Sequence, residues 1–282
     1  MEADRVSTPL ADAQWPDHAA ARIRISARDL SKAFSFDNRE LLAVDRVSLE
    51  VREGEFVALL GPSGCGKSTV LNIIAGLLPA TSGAVLIDNE PLIPGRFSPK
   101  LGYIFQRDTT YPWRTVSQNI GLGLEIAGVG RSERFQRVRT AVENASLAGF
   151  ENAFPTMLSG GMRQRVSLMR TLVMEPEILL MDEPFGALDA HTKLDMHRLL
   201  LEIWDRQRQT VVFVTHDLSE ALTLADRIVL MSARPGRVKE EFAIDFPRPR
   251  DAVRLRETPE YAALFSRIWH SLGEELSKTA SP

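Results

Sequence analysis

Residues 61–69 read GPSGCGKST and follow a compact apolar run, Glu55–Leu60 (EFVALL), whose composition predicts a buried strand. A helix is predicted directly after the loop, over Ser68–Leu78, and Pro79 ends it. A glycine-rich turn of the form G-x-x-x-x-G-K-[ST] between a strand and a helix is typical of a loop that binds nucleotide phosphates. The segment therefore predicts an α/β fold with a nucleotide site at its first strand.

The residue types of this loop suit phosphate chemistry. The glycines allow a tight turn in which successive backbone N–H groups point at the phosphates, and the helix adds its positive dipole end. Lys67 is expected to place its charge on the β and γ phosphates, and Ser68 to offer a hydroxyl to Mg²⁺. Cys65 occupies a free position of the pattern, so only its backbone is expected to matter. The residues predicted to contact the nucleotide are Gly61, Pro62, Ser63, Gly64, Cys65, Gly66, Lys67, Ser68 and Thr69.

Three further apolar runs predict buried strands at Glu177–Met181, Thr210–Thr215 and Arg227–Met231. Because they alternate with helical segments, we expect a mostly parallel sheet covered on both faces, as in P-loop NTPases of the RecA-like kind. Residues 22–60 alternate apolar and polar side chains and predict short strands, which we expect to belong to an antiparallel β subdomain.

The remaining segments complete the predicted domain plan. A flexible tail covers 1–21, the nucleotide-binding α/β core covers 22–106 and 176–245, and a helical extension covers 246–282. Between the two parts of the core, residues 107–175 are expected to form an inserted α-helical subdomain, and the extension to carry one apolar stripe. The helical spacing is seen in Phe135, Val138, Val142 and Leu147, and the stripe contains Tyr261, Leu264, Phe265, Ile268 and Trp269.

Composition excludes several classes of protein. The 282 residues are 44% hydrophobic and 25% charged with a net charge of −3, so electrostatics demand neither nucleic acid nor an anionic membrane as a partner. A single cysteine forms no internal disulfide and is typical of the reducing cytosol. The N-terminus, rich in acids and prolines, resembles no signal peptide, and no run of about eighteen apolar residues predicts a membrane span.

An acidic pair ends the second predicted strand in the motif MDEP, residues 181–184. Asp182 at such a strand end can hold Mg²⁺ through water, and Glu183 can orient or deprotonate the water that attacks the γ phosphate. The pair is a weak signal alone, but a phosphate loop upstream makes it a strong one.

A second glycine-rich turn, Leu158–Gly161 (LSGG), opens a long predicted helix. Ser159 is a good N-cap, and Gly160 and Gly161 expose backbone N–H groups at the positive end of the helix. One phosphate cradle already serves the nucleotide in this chain. We therefore expect the second cradle to cap the γ phosphate held by another subunit.

With these motifs in this order, residues 22–245 resemble the ABC ATPase family, in which LSGG is the signature motif. The resemblance implies that Phe34 stacks on adenine, with Phe36 as the alternative, and that Gln106 contacts Mg²⁺ and the attacking water. It implies that Asp189, in the loop Ala187–Asp189, communicates across a dimer, and that His216 contacts the γ phosphate. Gly186 departs from the serine that many relatives carry, which leaves its effect on dimer contacts open.

Other polar side chains are interpreted as structural. His191 and His197 lack the context of His216 and are expected at the surface, and Arg163 and Arg165 on a solvated helix face. The segment around Pro112–Val116 (PWRTV) resembles the cassettes of bacterial nitrate, sulfonate and taurine importers, which implies a permease docking surface near 107–120. Trp113 is either a core or cap residue of the helical subdomain or a direct permease contact.

The resemblance implies the ATP-hydrolysing subunit of an importer for a small solute, with ATP and Mg²⁺ as cofactors. The expected partners are a second copy of the chain in a head-to-tail ATP sandwich and a membrane permease, with an extracytoplasmic solute-binding protein acting indirectly and no nucleic acid. The expected location is the cytoplasmic face of the inner membrane, as a peripheral protein. The alternatives are the ATPase of a separate-chain exporter and a soluble ABC ATPase not linked to transport.

Overall fold

The computed structural model describes residues 21–36, 39–96 and 98–280. The predicted N-terminal tail lies outside these residues, apart from Ala21. Among the described helices, none combines the length and the apolar composition that crossing a membrane requires.

A four-stranded antiparallel sheet follows from the alternating pattern near the N-terminus. Its strand order is β2-β1-β4-β5, and the two long strands pair along most of their length. The inward residues of these strands, such as Ile25, Val47 and Leu49, are buried, which confirms the predicted antiparallel subdomain. The strands are β1 (Ile23–Phe36), β2 (Arg39–Arg52), β4 (Ser82–Ile87) and β5 (Glu90–Pro91).

A six-stranded sheet forms the centre of the molecule. Its order is β10-β9-β3-β8-β7-β6, and every pairing is parallel except that of the edge strand β10 with β9. Every residue of β3, β7 and β8 is buried, because helices or the other sheet cover both faces. The strands are β3 (Phe56–Leu60), β6 (Leu101–Ile104), β7 (Ile178–Asp182), β8 (Thr210–Thr215), β9 (Arg227–Met231) and β10 (Val238–Ala243).

Eight α-helices and two short 3-10 turns complete the described part of the chain. The helices are α1 (Lys67–Ile74), α2 (Val116–Ile120), α3 (Leu122–Ile126), α4 (Arg131–Asn144), α5 (Gly160–Leu172), α6 (Ala190–Gln207), α7 (Leu218–Leu224) and α8 (Pro259–Ala280). The 3-10 turns lie at Pro155–Met157 and Arg254–Glu257.

Helix α1 ends four residues earlier than the sequence predicts. Gly76 has a φ of 73°, a left-handed conformation that suits glycine, and the Leu77 N–H bonds back to the Asn72 carbonyl at 3.0 Å. This pairing is the usual glycine-based end of a helix, so Gly76 rather than Pro79 terminates α1.

The helical subdomain consists of α2 to α5, which lie between β6 and β7 in the chain. Its apolar side chains join the cluster that covers one face of the central sheet, while α1 and the antiparallel sheet cover the other. Val138, Val142 and Leu147 are buried as their spacing predicts, but Phe135 is 67% exposed. Phe135 therefore lies outside the buried stripe of α4.

The C-terminal segment packs back onto the same layer. Four aromatic rings stack in succession, from Phe246 through Tyr261 and Phe265 to Trp269, with centroid separations of 6.0 to 6.1 Å. Tyr261 and Ile268 are buried, whereas Trp269 at the end of the ladder is exposed. The predicted apolar stripe of α8 is therefore present, with Trp269 at its exposed edge and Leu272 continuing it.

Candidate nucleotide site

The phosphate loop connects the end of β3 to the start of α1, as predicted. Gly64 and Gly66 have φ values of 74° and 107°, which L-residues with a side chain rarely adopt. A Cβ on Gly66 would lie 2.9 Å from the Ala43 carbonyl oxygen. Backbone conformation and close packing both require glycine at this position.

Lys67 lies inside the loop rather than in solvent. Its Nζ donates to the carbonyl oxygens of Gly61 at 2.8 Å and Pro62 at 2.9 Å, and the residue is 4% exposed. Because Gly66 precedes α1 and offers no capping side chain, the first N–H groups of the helix are free to face an anion. The loop thus combines a held cation with the positive end of a helix.

A cavity of about 280 Å³ opens beside this loop. Phe34 lies at its rim, half-exposed, and the Lys32 ammonium lies 5.2 Å from the centre of its ring. The structure brings Phe34 to the cavity, while the Phe36 side chain lies outside the described part. The lining residues are Phe34, Leu41, Ala43, Gly64, Gly66, Lys67, Ser68, Thr69, Glu183 and Arg234.

Three of these lining residues were missed by the sequence analysis. Leu41 pairs with Phe34 across β1 and β2, Ala43 lies further along β2, and Arg234 lies in the turn between β9 and β10. None belongs to a motif with a recognisable spacing, so only the fold brings them to the cavity.

Two of the three side chains predicted to hold a metal ion, those of Ser68 and Asp182, meet beside the loop, whereas the Gln106 side chain bonds to Glu183. The Ser68 hydroxyl donates to Asp182 Oδ1 at 2.7 Å, and the Tyr103 hydroxyl lies 3.5 Å from Asp182 Oδ2. Burial raises the pKa of the Asp182 carboxyl, and the Ser68 hydrogen bond opposes this rise. Burial, followed by the nearby Asp182 charge, also raises the pKa of Tyr103. Hydroxyl and carboxylate oxygens fit the preference of Mg²⁺, which completes its shell with water and phosphate oxygens.

Two of the other predicted catalytic residues, Gln106 and His216, converge on Glu183, whereas the third, Lys67, is held by the carbonyl groups of the phosphate loop. Glu183 Oε2 accepts from Gln106 Nε2 at 3.1 Å and lies 3.0 Å from His216 Nδ1. These residues follow three different strands of the central sheet, β7, β6 and β8. Parallel strands present their carboxyl ends at one edge, which explains why residues 77 and 33 positions from Glu183 meet there. The arrangement surrounds a carboxylate with polar groups that can orient a water molecule.

The signature residues lie elsewhere on the chain. Ser159 caps α5 by accepting from the Met162 N–H at 3.3 Å, and a Cβ on Gly161 would lie 2.5 Å from Thr192 Cγ2. Asp189 caps α6 through the N–H groups of His191 and Thr192, each at 3.1 Å. Ser159, Gly160, Gly161 and Asp189 are absent from the lining of the cavity that the described residues form. The chain therefore does not bring its own signature turn to its own phosphate loop.

The comparison with family models gives a match to the ABC transporter family over residues 44–186, which include the phosphate loop, the LSGG turn and the acidic pair. The chain belongs to the ABC transporter family.

The cassette is similar to proteins whose names describe the same kind of ATP-binding protein. An uncharacterized ABC transporter ATP-binding protein of Methanocaldococcus jannaschii is 44% identical, with 92% of this chain and 94% of that protein covered. A taurine import ATP-binding protein of Rhizobium johnstonii is 46% identical, with 82% and 88% covered. An aliphatic sulfonates import ATP-binding protein of Bacillus cereus is 42% identical, with 80% and 88% covered.

Solved structures agree with the fold of the cassette. A dimeric ATP-binding cassette in a post-hydrolysis state, bound to ADP and Pi, superposes with a TM-score of 0.70 at 33% identity. The match covers 79% of this chain and all of that one. The cassette is therefore an ABC-type ATPase with the predicted fold: a P-loop core, an antiparallel β subdomain and an inserted helical subdomain.

One histidine of the cassette was placed wrongly. His191 is exposed as expected, but His197 is 1% exposed, lies edge-on to the Phe185 ring at 5.1 Å and has Nε2 3.8 Å from Glu220 Oε1. It shares the inner face of α6 with Leu200 and Leu201, because residues three and four apart lie on one side of a helix. His197 is therefore a core residue.

Glu220 links this buried cluster to the loop that carries His216. Its carboxylate is 3% exposed, accepts from the Thr215 hydroxyl at 2.6 Å and lies 3.1 Å from Lys193 Nζ. The Thr215 hydroxyl also accepts from the Asp217 N–H at 3.0 Å. These bonds hold the backbone on both sides of His216, a role that no sequence motif had indicated.

The two arginines near the signature turn are also less solvated than predicted. Arg163 donates to Asp108 Oδ2 at 2.9 Å and to the Leu158 carbonyl at 2.7 Å. Arg165 donates to the Ala145 carbonyl at 3.2 Å. Both side chains are half-buried, so this face of α5 holds neighbouring loops rather than facing bulk water.

The loop before α2 carries exposed aromatic rings. Trp113 is 69% exposed and lies tilted against Tyr111 with ring centres 5.2 Å apart, so it is not a core residue of the helical subdomain. The buried Asn119 side chain accepts from the Tyr111 N–H and donates to the carbonyls of Tyr111, Arg114 and Thr115 at 2.7 to 3.1 Å. A single amide therefore shapes the loop that presents Trp113.

Proposed function

We propose that this cassette energises the uptake of a small solute, of the nitrate, sulfonate or taurine type, through a separate membrane permease. The observation that carries the importer assignment is the identity of 42–46% with taurine and aliphatic sulfonate import proteins over at least 80% of the chain. The sequence PWRTV near the helical subdomain supports the same sub-family. The solute itself is selected by other subunits, because this chain contributes only the ATPase.

In the proposed mechanism, Phe34 stacks on the adenine, and the backbone of residues 61–69 surrounds the phosphates. Lys67 exchanges the loop carbonyls for the β and γ phosphates, a change that replaces neutral acceptors with charged ones. Ser68 and Asp182, with Gln106 through its side-chain oxygen, would hold Mg²⁺, which neutralises charge on the phosphates.

Glu183 is the proposed general base of hydrolysis. Its carboxylate takes a proton from the attacking water as the water oxygen bonds to the γ phosphorus and the bond to the β–γ bridging oxygen breaks, which releases ADP and phosphate. Gln106 and His216 already bond to this carboxylate, so they hold it and the water in line with the phosphate. His216 also offers a contact to the γ phosphate itself.

The complete catalytic site is proposed to require two copies of the chain. Ser159, Gly160 and Gly161 lie outside the cavity of their own chain, and Ser159 and Gly160 are exposed. The solved cassettes similar to this one are described as dimeric, which supports a head-to-tail pair with the signature turn of each copy over the phosphates of the other. Asp189, whose helix packs against Gly161 through Thr192, then lies at the same interface.

Residues 107–120 are the proposed docking surface for the permease. Tyr111 and Trp113 are exposed there, and Arg163 and Arg170 tie the loop to α5 through Asp108 and Thr109. Movement of α5 with its signature turn is therefore transmitted to the docking surface by direct contacts. This attachment would place the cassette at the cytoplasmic face of the inner membrane, and a solute-binding protein would act on the permease from the other side.

An affinity pull-down of the tagged Glu183→Gln chain from detergent-solubilised membranes, with ATP present, tests the transport role. Recovery of a multi-span permease encoded with a solute-binding protein supports the importer. A permease without such a protein favours the exporter alternative, and recovery of soluble machinery alone refutes a role in transport. Gel filtration of the Glu183→Gln chain at saturating MgATP tests whether two copies share each catalytic site. A chain that remains monomeric would contradict the shared site.

A further inference from the structure

The turn between β9 and β10 packs directly on the phosphate loop. The Gly236 N–H donates to the Ala43 carbonyl at 2.9 Å, and the Asp45 N–H donates to the Gly236 carbonyl at 2.9 Å. A Cβ on Gly236 would lie 2.0 Å from the Cys65 carbonyl oxygen, which no side chain allows. The turn is therefore fixed against the backbone of the loop that binds phosphate.

Arg234 extends from this turn into the nucleotide cavity. Its Nη2 and Nε atoms donate to the Gly64 carbonyl at 3.2 and 3.3 Å, and it lines the cavity together with Phe34 and Lys67. A guanidinium has five N–H donors, so most of them remain available. Among the described residues it forms no ion pair, whereas Arg237 in the same turn binds the Asp45 carboxylate.

Helix α8 holds the other side of the turn. The Glu275 carboxylate is 1% exposed and accepts from the Ala233 N–H, the residue before Arg234, at 2.9 Å. Its other oxygen lies 2.7 Å from Lys278 Nζ and 3.0 Å from Lys239 Nζ. A buried carboxylate with three donors has one stable orientation, so it fixes the position at which Arg234 leaves the turn.

We propose that Arg234 is a nucleotide-binding residue that contacts a phosphate oxygen of ATP, and that Glu275 of α8 positions it. The proposal rests on the function proposed above for the cavity. An arginine without a carboxylate partner, held at the rim of a phosphate site, gains a charged acceptor when the nucleotide binds. The C-terminal helix is thereby connected to nucleotide affinity.

Calorimetric titration of ATP, in the Glu183→Gln chain so that no hydrolysis interferes, tests the contact. Arg234→Ala is expected to weaken binding about tenfold, the effect of losing one charge-assisted hydrogen bond at a partly exposed site. The ATP affinity of Arg234→Lys should lie between those of the parent chain and Arg234→Ala, because lysine keeps the charge without the planar guanidinium. Arg237→Ala is the matched control and should stay within about twofold of the parent.

A double-mutant cycle tests the positioning by Glu275. Glu275→Ala is expected to weaken ATP binding about threefold in the parent and to have no further effect when Arg234 is already alanine. Glu260→Ala, the same substitution at an exposed position of α8, is the control. If Glu275→Ala does not fold, Glu275→Gln replaces it: the amide loses the charge that holds Lys239 and Lys278 and fixes the side chain, so a smaller loss of ATP affinity that again requires Arg234 is expected.

The outcomes separate this inference from the proposed function. If the parent chain binds ATP and Arg234→Ala binds it equally well, the Arg234 contact is wrong while the nucleotide site stands. Additive losses in the cycle would show that α8 acts on affinity without Arg234 and would overturn the positioning role. A parent chain that fails to bind ATP would contradict the proposed function itself.

Discussion

Replacing Glu183 with glutamine should abolish most of the ATPase activity without disturbing the fold. The amide has the size of the carboxylate and keeps both an acceptor for Gln106 Nε2, now at 3.1 Å, and a donor or acceptor for His216, now at 3.0 Å. What it loses is the ability to accept a proton from water. General-base catalysis contributes about 10²- to 10⁴-fold to rate, so the barrier to hydrolysis should rise by about 2.7 to 5.4 kcal/mol.

Phosphate release by the purified chain at saturating MgATP measures this loss. Glu202→Gln is the matched control, because Glu202 lies on the exposed side of α6 and the substitution is the same. Both variants should unfold at the temperature of the wild type, and both should bind ATP. A Glu183→Gln chain that keeps more than about a tenth of the wild-type rate would refute the assignment of Glu183 as the base.

Three further predictions follow from the same region of the molecule. Lys67→Ala should weaken ATP binding at least about 100-fold by calorimetry, because the variant loses the charge that bonds the phosphates; tight binding would contradict the phosphate-loop assignment. Cys65 is buried, and burial raises the pKa of its thiol against the opposing Lys67 charge. A maleimide at pH 7 should therefore leave Cys65 of the folded chain unmodified, as measured by mass spectrometry, over a time in which the urea-unfolded chain is fully labelled. Rapid labelling of the folded chain would show that the loop opens. Burial alone would raise the pKa of Glu275, but hydrogen bonds from Lys278 and the Ala233 N–H outweigh it and lower the pKa to about 2. Since the folded-state pKa lies below the ordinary value of 4.5 for the unfolded chain, the stabilisation is complete above pH 4.5 and is lost as pH falls toward 2. The difference in thermal unfolding between wild type and Glu275→Gln should therefore shrink below pH 4.5, and a constant difference would contradict the pairing.

Local sequence patterns predicted the strands better than the ends of the helices. The predicted strands Thr210–Thr215 and Arg227–Met231 agree with β8 and β9, since a continuous apolar run has clear edges. The end of α1 was predicted too late because Gly76 does not interrupt the apolar run of the sequence, yet it adopts a positive φ that ends the helix. The antiparallel edge strand β10 carries too many charged residues to be recognised by alternation alone.

Burial of polar residues is the second feature that residue patterns do not predict. His197 was expected at the surface because it lacks the motif context of His216, but it is buried beside Glu220, which lies in a different helix. Neither Asn119 nor Arg234 was given a role from the sequence, because their roles depend on carbonyl groups that only the folded loops bring within hydrogen-bond distance. Such contacts have no signature in residue spacing.

The sequence by itself determined the family, the phosphate loop, the acidic pair and the signature turn, because each of these depends on backbone geometry encoded within a few consecutive residues. The tertiary structure decided how they combine: Glu183 meets Gln106 and His216 at one sheet edge, and Arg234 meets Gly64 from a turn 170 residues away. The physical reason is that hydrogen bonds and ion pairs act over about 3 Å in space, whatever the separation along the chain. Only the packing of strands and helices sets those distances.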